Sequence, residues 1–181
     1  MNYELPTAVE VNGTEYKIRS DYRDILTILE AMSDDGLTDQ DKAEVLLIIF
    51  YPDFNNMLSS DYEEAVRQCI SFINGGVEEN GKRLPKLMDW QQDFSLIIAP
   101  VNRVLGKEAR AEKYMHWYTW LAAYQEIGDC TFAQVVAIRN KKLKGKKLDK
   151  SEQEFYKRNR SLVDFKKTYT EQDDEVINQW I

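Results

Sequence analysis

Histidine occurs once in this chain, at His116, and cysteine only at Cys69 and Cys130. A structural zinc site takes about four Cys or His ligands, so these residues are too few to build one. The two cysteines stand far apart, unlike the dense spacing of disulfide-stapled secreted domains, and read as reduced and packed. The longest apolar run, Val45 to Tyr51, is far short of a membrane span. Met1-Asn2-Tyr3-Glu4-Leu5-Pro6 has no basic stretch leading into an apolar one, so no signal peptide is expected. Nucleophile elbows, dinucleotide-binding glycines and His-Glu-x-x-His are missing too.

Near-misses fail on specific positions. Gly145-Lys146 lacks a phosphate loop because Asn140 stands where a glycine is needed and Lys147 where Ser or Thr is needed. Asp34-Asp35-Gly36 lacks a calcium loop because Ala31 falls at the first ligand position when Gly36 is set as the invariant glycine. His116 and Glu126 are nearly three helical turns apart, about 15 Å, and cannot form an acid/base pair on one helix. The expectation is a protein without enzymatic activity, cofactor or metal.

What is present is core-forming material: 43% hydrophobic and 12% aromatic residues, with 30% charged. These are values of a folded globular chain. The net charge of −7 is unevenly spread. Residues 1–100 carry 8 basic against 19 acidic side chains, whereas 139–160 carry 10 against 3. One basic segment in an acidic protein suits docking to an acidic patch, on another copy or on a partner. Lys144, Lys146 and Lys147 are its exposed candidates. Nucleic acid is not expected as a partner, since no aromatics interleave with the lysines and the whole chain is acidic. No membrane contact is expected either.

The patterning is mostly α, a multi-helix bundle with a small N-terminal β-hairpin. Val9 and Val11 alternate with polar residues, Asn12-Gly13 supplies a turn, and Tyr16 and Ile18 resume the alternation. Helical stripes follow: Ile25 to Met32; a segment capped by Thr38 and stopped at Pro52; and one opened by a Ser60/Glu63 capping box and stopped at Gly75-Gly76. Further stripes start at Asp89, at about Glu108, at Thr131 and at Asp149. The stretch from Glu108 to Ile127 is apolar on nearly all sides, which marks a central or interfacial helix. The organisation expected is residues 1–20 as a hairpin packed on the core, 21–163 as the helical domain, and 164–181 as an acidic tail with an apolar end. The expected partner surface comprises Trp117, Tyr118 and Trp120, the terminal Val176, Ile177 and Trp180, and the lysines above.

The ordered series Asp89-Trp90-x-x-Asp93, Pro100-Val101-Asn102, Leu105-Gly106, His116-Trp117-x-Thr119, Gln125-Glu126-Ile127-Gly128, Phe132-x-x-Val135-Val136-x-Ile138-Arg139 and Lys144 to Asp149, then Glu154-Phe155-Tyr156, resembles the bacteriophage Gp15 protein family. Asp21-Tyr22-Arg23-Asp24 fits it as well, and the resemblance runs over about residues 15 to 165. It implies a tail-morphogenesis protein encoded near a tape-measure gene, with no established enzymatic activity. The expectation is a tail assembly chaperone that binds phage tail proteins, the tape-measure protein first, in the cytoplasm of the host bacterium, with self-association as a further option. The alternative is a tail completion or connector component retained in the virion tail.

Overall fold

The computed structural model describes residues 4–77 and 85–166. Among them are one two-stranded antiparallel sheet and eight α-helices, the mostly α architecture with an N-terminal hairpin that the patterning implies. The chain divides into two compact units, Met1–Phe132 and Ala133–Ile181.

In the first unit, β1 (Ala8–Val11) pairs with β2 (Thr14–Lys17), with Val11 opposite Thr14. Asn12 and Gly13 take positive φ, 49° and 82°, as a two-residue turn requires. A lone hairpin is marginal in water, so its anchors matter. The Asn12 amide and the Tyr16 hydroxyl donate to the buried Asp61 carboxylate at 2.9 and 3.2 Å. Just past β2, the Arg19 guanidinium donates to the carbonyls of Ile48 and Ile49.

Five helices follow in this unit. Helix α1 (Tyr22–Met32) is capped by Asp21, whose carboxylate accepts the Arg23 amide at 2.9 Å, and it buries Tyr22, Ile25 and Ile28. Helix α2 (Asp39–Phe50) is capped by Thr38 as expected, and Asp41 completes a capping box not expected from sequence. Helix α3 (Tyr62–Ile73) does not start at a Ser60/Glu63 box. A 3-10 turn at Ser59–Asp61 leads into it, and the Asp61 carboxylate is taken by the hairpin instead of a helix end. At the far end of α3, Gly75 and Gly76 close a Schellman motif through bonds to the Phe72 and Ser71 carbonyls. Cys69 is fully buried in α3, as the stripe implies, and burial pushes its thiol pKa up.

Helix α4 (Trp90–Leu105) has the expected cap, Asp89 accepting from the Gln92 amide at 2.9 Å, and keeps Pro100 buried within it. Helix α5 spans only Trp117–Gln125, a correction to the start at about Glu108. Between α4 and α5 lie a 3-10 turn at Ala109–Ala111 and an extended run into His116. The reason is competition for backbone groups. The Met115 amide donates to Asp21 Oδ2 at 3.0 Å, the Trp117 amide to the Ser20 carbonyl at 2.7 Å, and the Tyr22 amide to the Met115 carbonyl at 2.9 Å. These long-range bonds replace the first turns of the helix that local periodicity suggests.

The second unit holds most of α6 (Thr131–Leu143), then α7 (Lys150–Arg158) and α8 (Arg160–Val163). Helix α6 ends in a Schellman motif: Gly145 takes φ +62° and donates to the Lys142 carbonyl, while the Lys146 amide donates to Lys141. Helix α7 opens at Asp149 as expected, with a capping box completed by Glu152. Arg139 is buried and donates to the carbonyls of Leu162 and Val163 at 2.8 and 2.7 Å, tying α8 to α6.

Candidate functional site

Helices α1, α4 and α5 bring together an aromatic array. Tyr22 and Trp120 stack with ring centroids 5.7 Å apart, Trp117 and Trp120 at 5.4 Å, and Trp120 and Tyr124 at 5.5 Å, while Trp90 tilts against both Trp120 and Tyr124. Each such pair adds about 0.5–1.5 kcal/mol beyond the area it buries. Trp120 is 0% and Trp117 1% exposed. Their rings form the interior of the unit, and the partner surface expected around them is reduced to its outer members. Tyr118 is half-buried, stacked on Phe72 at 4.9 Å.

His116 serves as the N-cap of α5. Its Nδ1 accepts the Tyr118 amide at 3.0 Å, which leaves Nε2 to carry the proton and donate to the Pro6 carbonyl at 2.9 Å. The histidine thus joins the segment before β1 to the start of α5. This is a structural assignment, and it agrees with the packing role that its apolar surroundings suggest.

Concave surface opens on both sides of Trp90. On one side a groove of about 430 Å³ is lined by Leu29, Asn74, Trp90, Leu121, Tyr124 and Gln125, among others. On the other a groove of about 420 Å³ is lined by Tyr22, Arg23, Leu26, Trp90, Phe94 and Arg110, among others. Tyr124 donates to the Met88 sulfur at 3.3 Å, and burial pushes its pKa up to about 12, so the phenol stays neutral at physiological pH. A wall of leucine, indole and neutral phenol with two amides at its edge is suited to receive apolar side chains. Trp90, Leu29 and Leu121 are not among the partner-surface residues expected from sequence. The signal available was Trp90 directly after a capping aspartate, on the same stripe as Phe94.

In the second unit, Lys144, Lys146 and Lys147 are exposed on the turn between α6 and α7 and make no ion pair among the described residues. Their neighbours are engaged: Lys141 pairs with Glu152, and Lys142 with Asp164. Val176, Ile177 and Trp180 lie outside the described residues. Among the described residues, no group of three or more His, Cys, Asp or Glu side chains is placed to hold a metal ion. None of their helices is long and apolar enough to cross a membrane.

The model of the Bacteriophage Gp15 protein family matches residues 1–165. The chain belongs to this family. The match takes in the hairpin, which corrects the expectation that the hairpin lies at or beyond the edge of the resemblance. A Gp15 protein is a phage structural or morphogenesis protein, and interaction with other phage proteins goes with that class. No curated protein and no solved structure matches the chain.

Two of the Gp15 motifs meet in this fold, Asp21-Tyr22-Arg23-Asp24 and His116-Trp117-x-Thr119. Asp21 and Arg23, from the first, hold the Met115 amide and the Glu112 carbonyl on the segment that leads into the second. The guanidinium of Arg23 bonds both oxygens of Asp21 at 3.0 Å and also the Glu112 carbonyl at 2.6 Å. These polar residues are therefore accounted for by folding, without a ligand.

Proposed function

We propose that this Gp15 protein acts in phage tail morphogenesis as a non-enzymatic assembly chaperone in the host cytoplasm. It covers apolar stripes on a helical tail protein, the tape-measure protein being the first choice. The observation that supports this reading, beside the family, is the groove lined by Leu29, Trp90, Leu121 and Tyr124. An amphipathic helix lays its apolar face into such a groove through side chains about one turn apart. A long helical partner exposes these side chains until the tail tube surrounds it, and reversible cover keeps it soluble. Tyr118, the lysines of the α6–α7 turn and the terminal Val176, Ile177 and Trp180 extend the proposed contact surface.

The test is co-expression of the tagged protein with the tape-measure protein, followed by pull-down. The expected result is soluble tape-measure protein only when this chain is present, and loss of that recovery with Leu121→Arg while circular dichroism stays unchanged. Trp180→Ala and removal of the last six residues examine the terminal part of the surface separately. Failure to bind, with the chain found in stoichiometric amount in purified virions, would replace the chaperone with a structural tail component.

A further inference from the structure

Two exposed surfaces of opposite charge carry an apolar side chain among their charges. On α2 the outward positions Asp41, Glu44 and Ile48 recur at helical spacing, with Asp39 beside them, and Ile48 is 48% exposed. On the α6–α7 turn, Lys144, Lys146 and Lys147 follow Leu143, which is 58% exposed. Asp39, Glu44 and the three lysines make no ion pair among the described residues. An apolar side chain beside the charges gives a docking face a contact that excludes water, as the apolar centre of an interface does.

We propose that copies of this chain associate head to tail, with the acidic α2 face of one copy seated on the basic α6–α7 turn of the next. Ile48 packs against the partner copy's leucine at position 143, and the α2 carboxylates face the ammonium groups of the turn. Charge complementarity selects this occupant. Nucleic acid would bring phosphate to a chain of net charge −7 and would find no aromatic among the lysines to stack its bases. A second copy offers carboxylates in a patch of the same kind, with its own apolar residue. Because the two surfaces differ, the contact is heterologous, and it closes into a ring or extends as a filament. The proposal does not rest on tape-measure binding.

The experiment is light scattering of the purified full-length chain across a concentration series, in about 0.01 M and about 1 M salt, where the Debye length is about 30 Å and about 3 Å. The expected result is a mass above the monomer that grows with concentration at low salt and falls to the monomer at high salt. Glu44→Lys alone and Lys146→Glu alone lower the mass toward the monomer. Mixed in equal amounts, the two variants regain mass, because each retains the surface that the other has lost. A monomer at every concentration and salt overturns the proposal. So does association that ignores salt, or that survives either charge reversal unchanged. The wild-type salt series decides the matter even if a variant misfolds.

Discussion

Asp21 Oδ2 accepts the backbone amide of Met115 at 3.0 Å, across ninety-four positions of sequence, while its Oδ1 caps α1 through the Arg23 amide. One carboxylate thereby sets both the start of α1 and the path of the chain into α5. Replacing it with alanine removes a helix cap, worth about 1 kcal/mol, and a charge-assisted bond to Met115, worth about 1.5–3 kcal/mol. We predict that Asp21→Ala lowers unfolding free energy by about 2–4 kcal/mol in urea titration, and that Asp21→Asn, which keeps an acceptor, costs less. Equal losses for the two variants would show that the acceptor geometry is not what matters.

The two central tryptophans should respond differently to the same change. Trp117 Nε1 donates to the Ile73 carbonyl at 2.9 Å, whereas buried Trp120 Nε1 has no hydrogen-bond partner among the described residues. Trp117→Phe leaves a buried carbonyl unpaired, but Trp120→Phe removes a donor that has no partner. We predict that Trp117→Phe is the more destabilising by about 1 kcal/mol, since the volume lost is the same. Chemical denaturation of both variants checks this, and a larger loss at Trp120 would count against it.

Acid should weaken the fold through carboxylates held below their ordinary range. Hydrogen bonds from the Arg110 side chain and amide bring Glu108 from 4.5 to about 2. Thr38 lowers Asp41 at one helix start, and the Glu152 amide lowers Asp149 at another. At each site the unfolded chain binds the proton more readily, so stability is fully present above the unfolded values and is lost as pH falls through the folded ones. Asp24, pushed up by burial, works in the opposite sense. Urea midpoints measured from pH 6 down to about 2 should fall steadily. Glu108→Gln should flatten the lower part of that slope.

Asp164 is the meeting point of α6, α7 and α8 in the second unit. Burial pushes its pKa up, but hydrogen bonds from Lys142, Tyr156 and Arg160 outweigh that and bring it below the ordinary value. We predict that Asp164→Ala speeds amide exchange in α8 and in the last turn of α6, with α1 to α5 unchanged. Exchange that rises equally along the whole chain would contradict this local role.

Sequence alone determined the features that are satisfied within a few residues of chain. Asn12-Gly13 made the hairpin turn because both positions need positive φ. Thr38, Asp89 and Asp149 opened helices because a side-chain oxygen three residues before an amide can cap it regardless of the rest of the fold. The order of short motifs was enough to recognise a Gp15 protein. Tertiary structure decided the remainder, because it turns on which distant groups compete for the same donors and the same buried area. The helix expected from Glu108 begins at Trp117 because Asp21 and Ser20 take the amides of Met115 and Trp117, and Ser60 caps nothing because the turn before α3 tightens and the hairpin takes Asp61. Periodicity marked Trp117 and Trp120 as apolar but could not distinguish core from interface, which depends on how Tyr22, Trp90 and Tyr124 close around them. The same closure leaves Leu29, Trp90 and Leu121 lining a groove, a relationship among α1, α4 and α5 that no single segment contains.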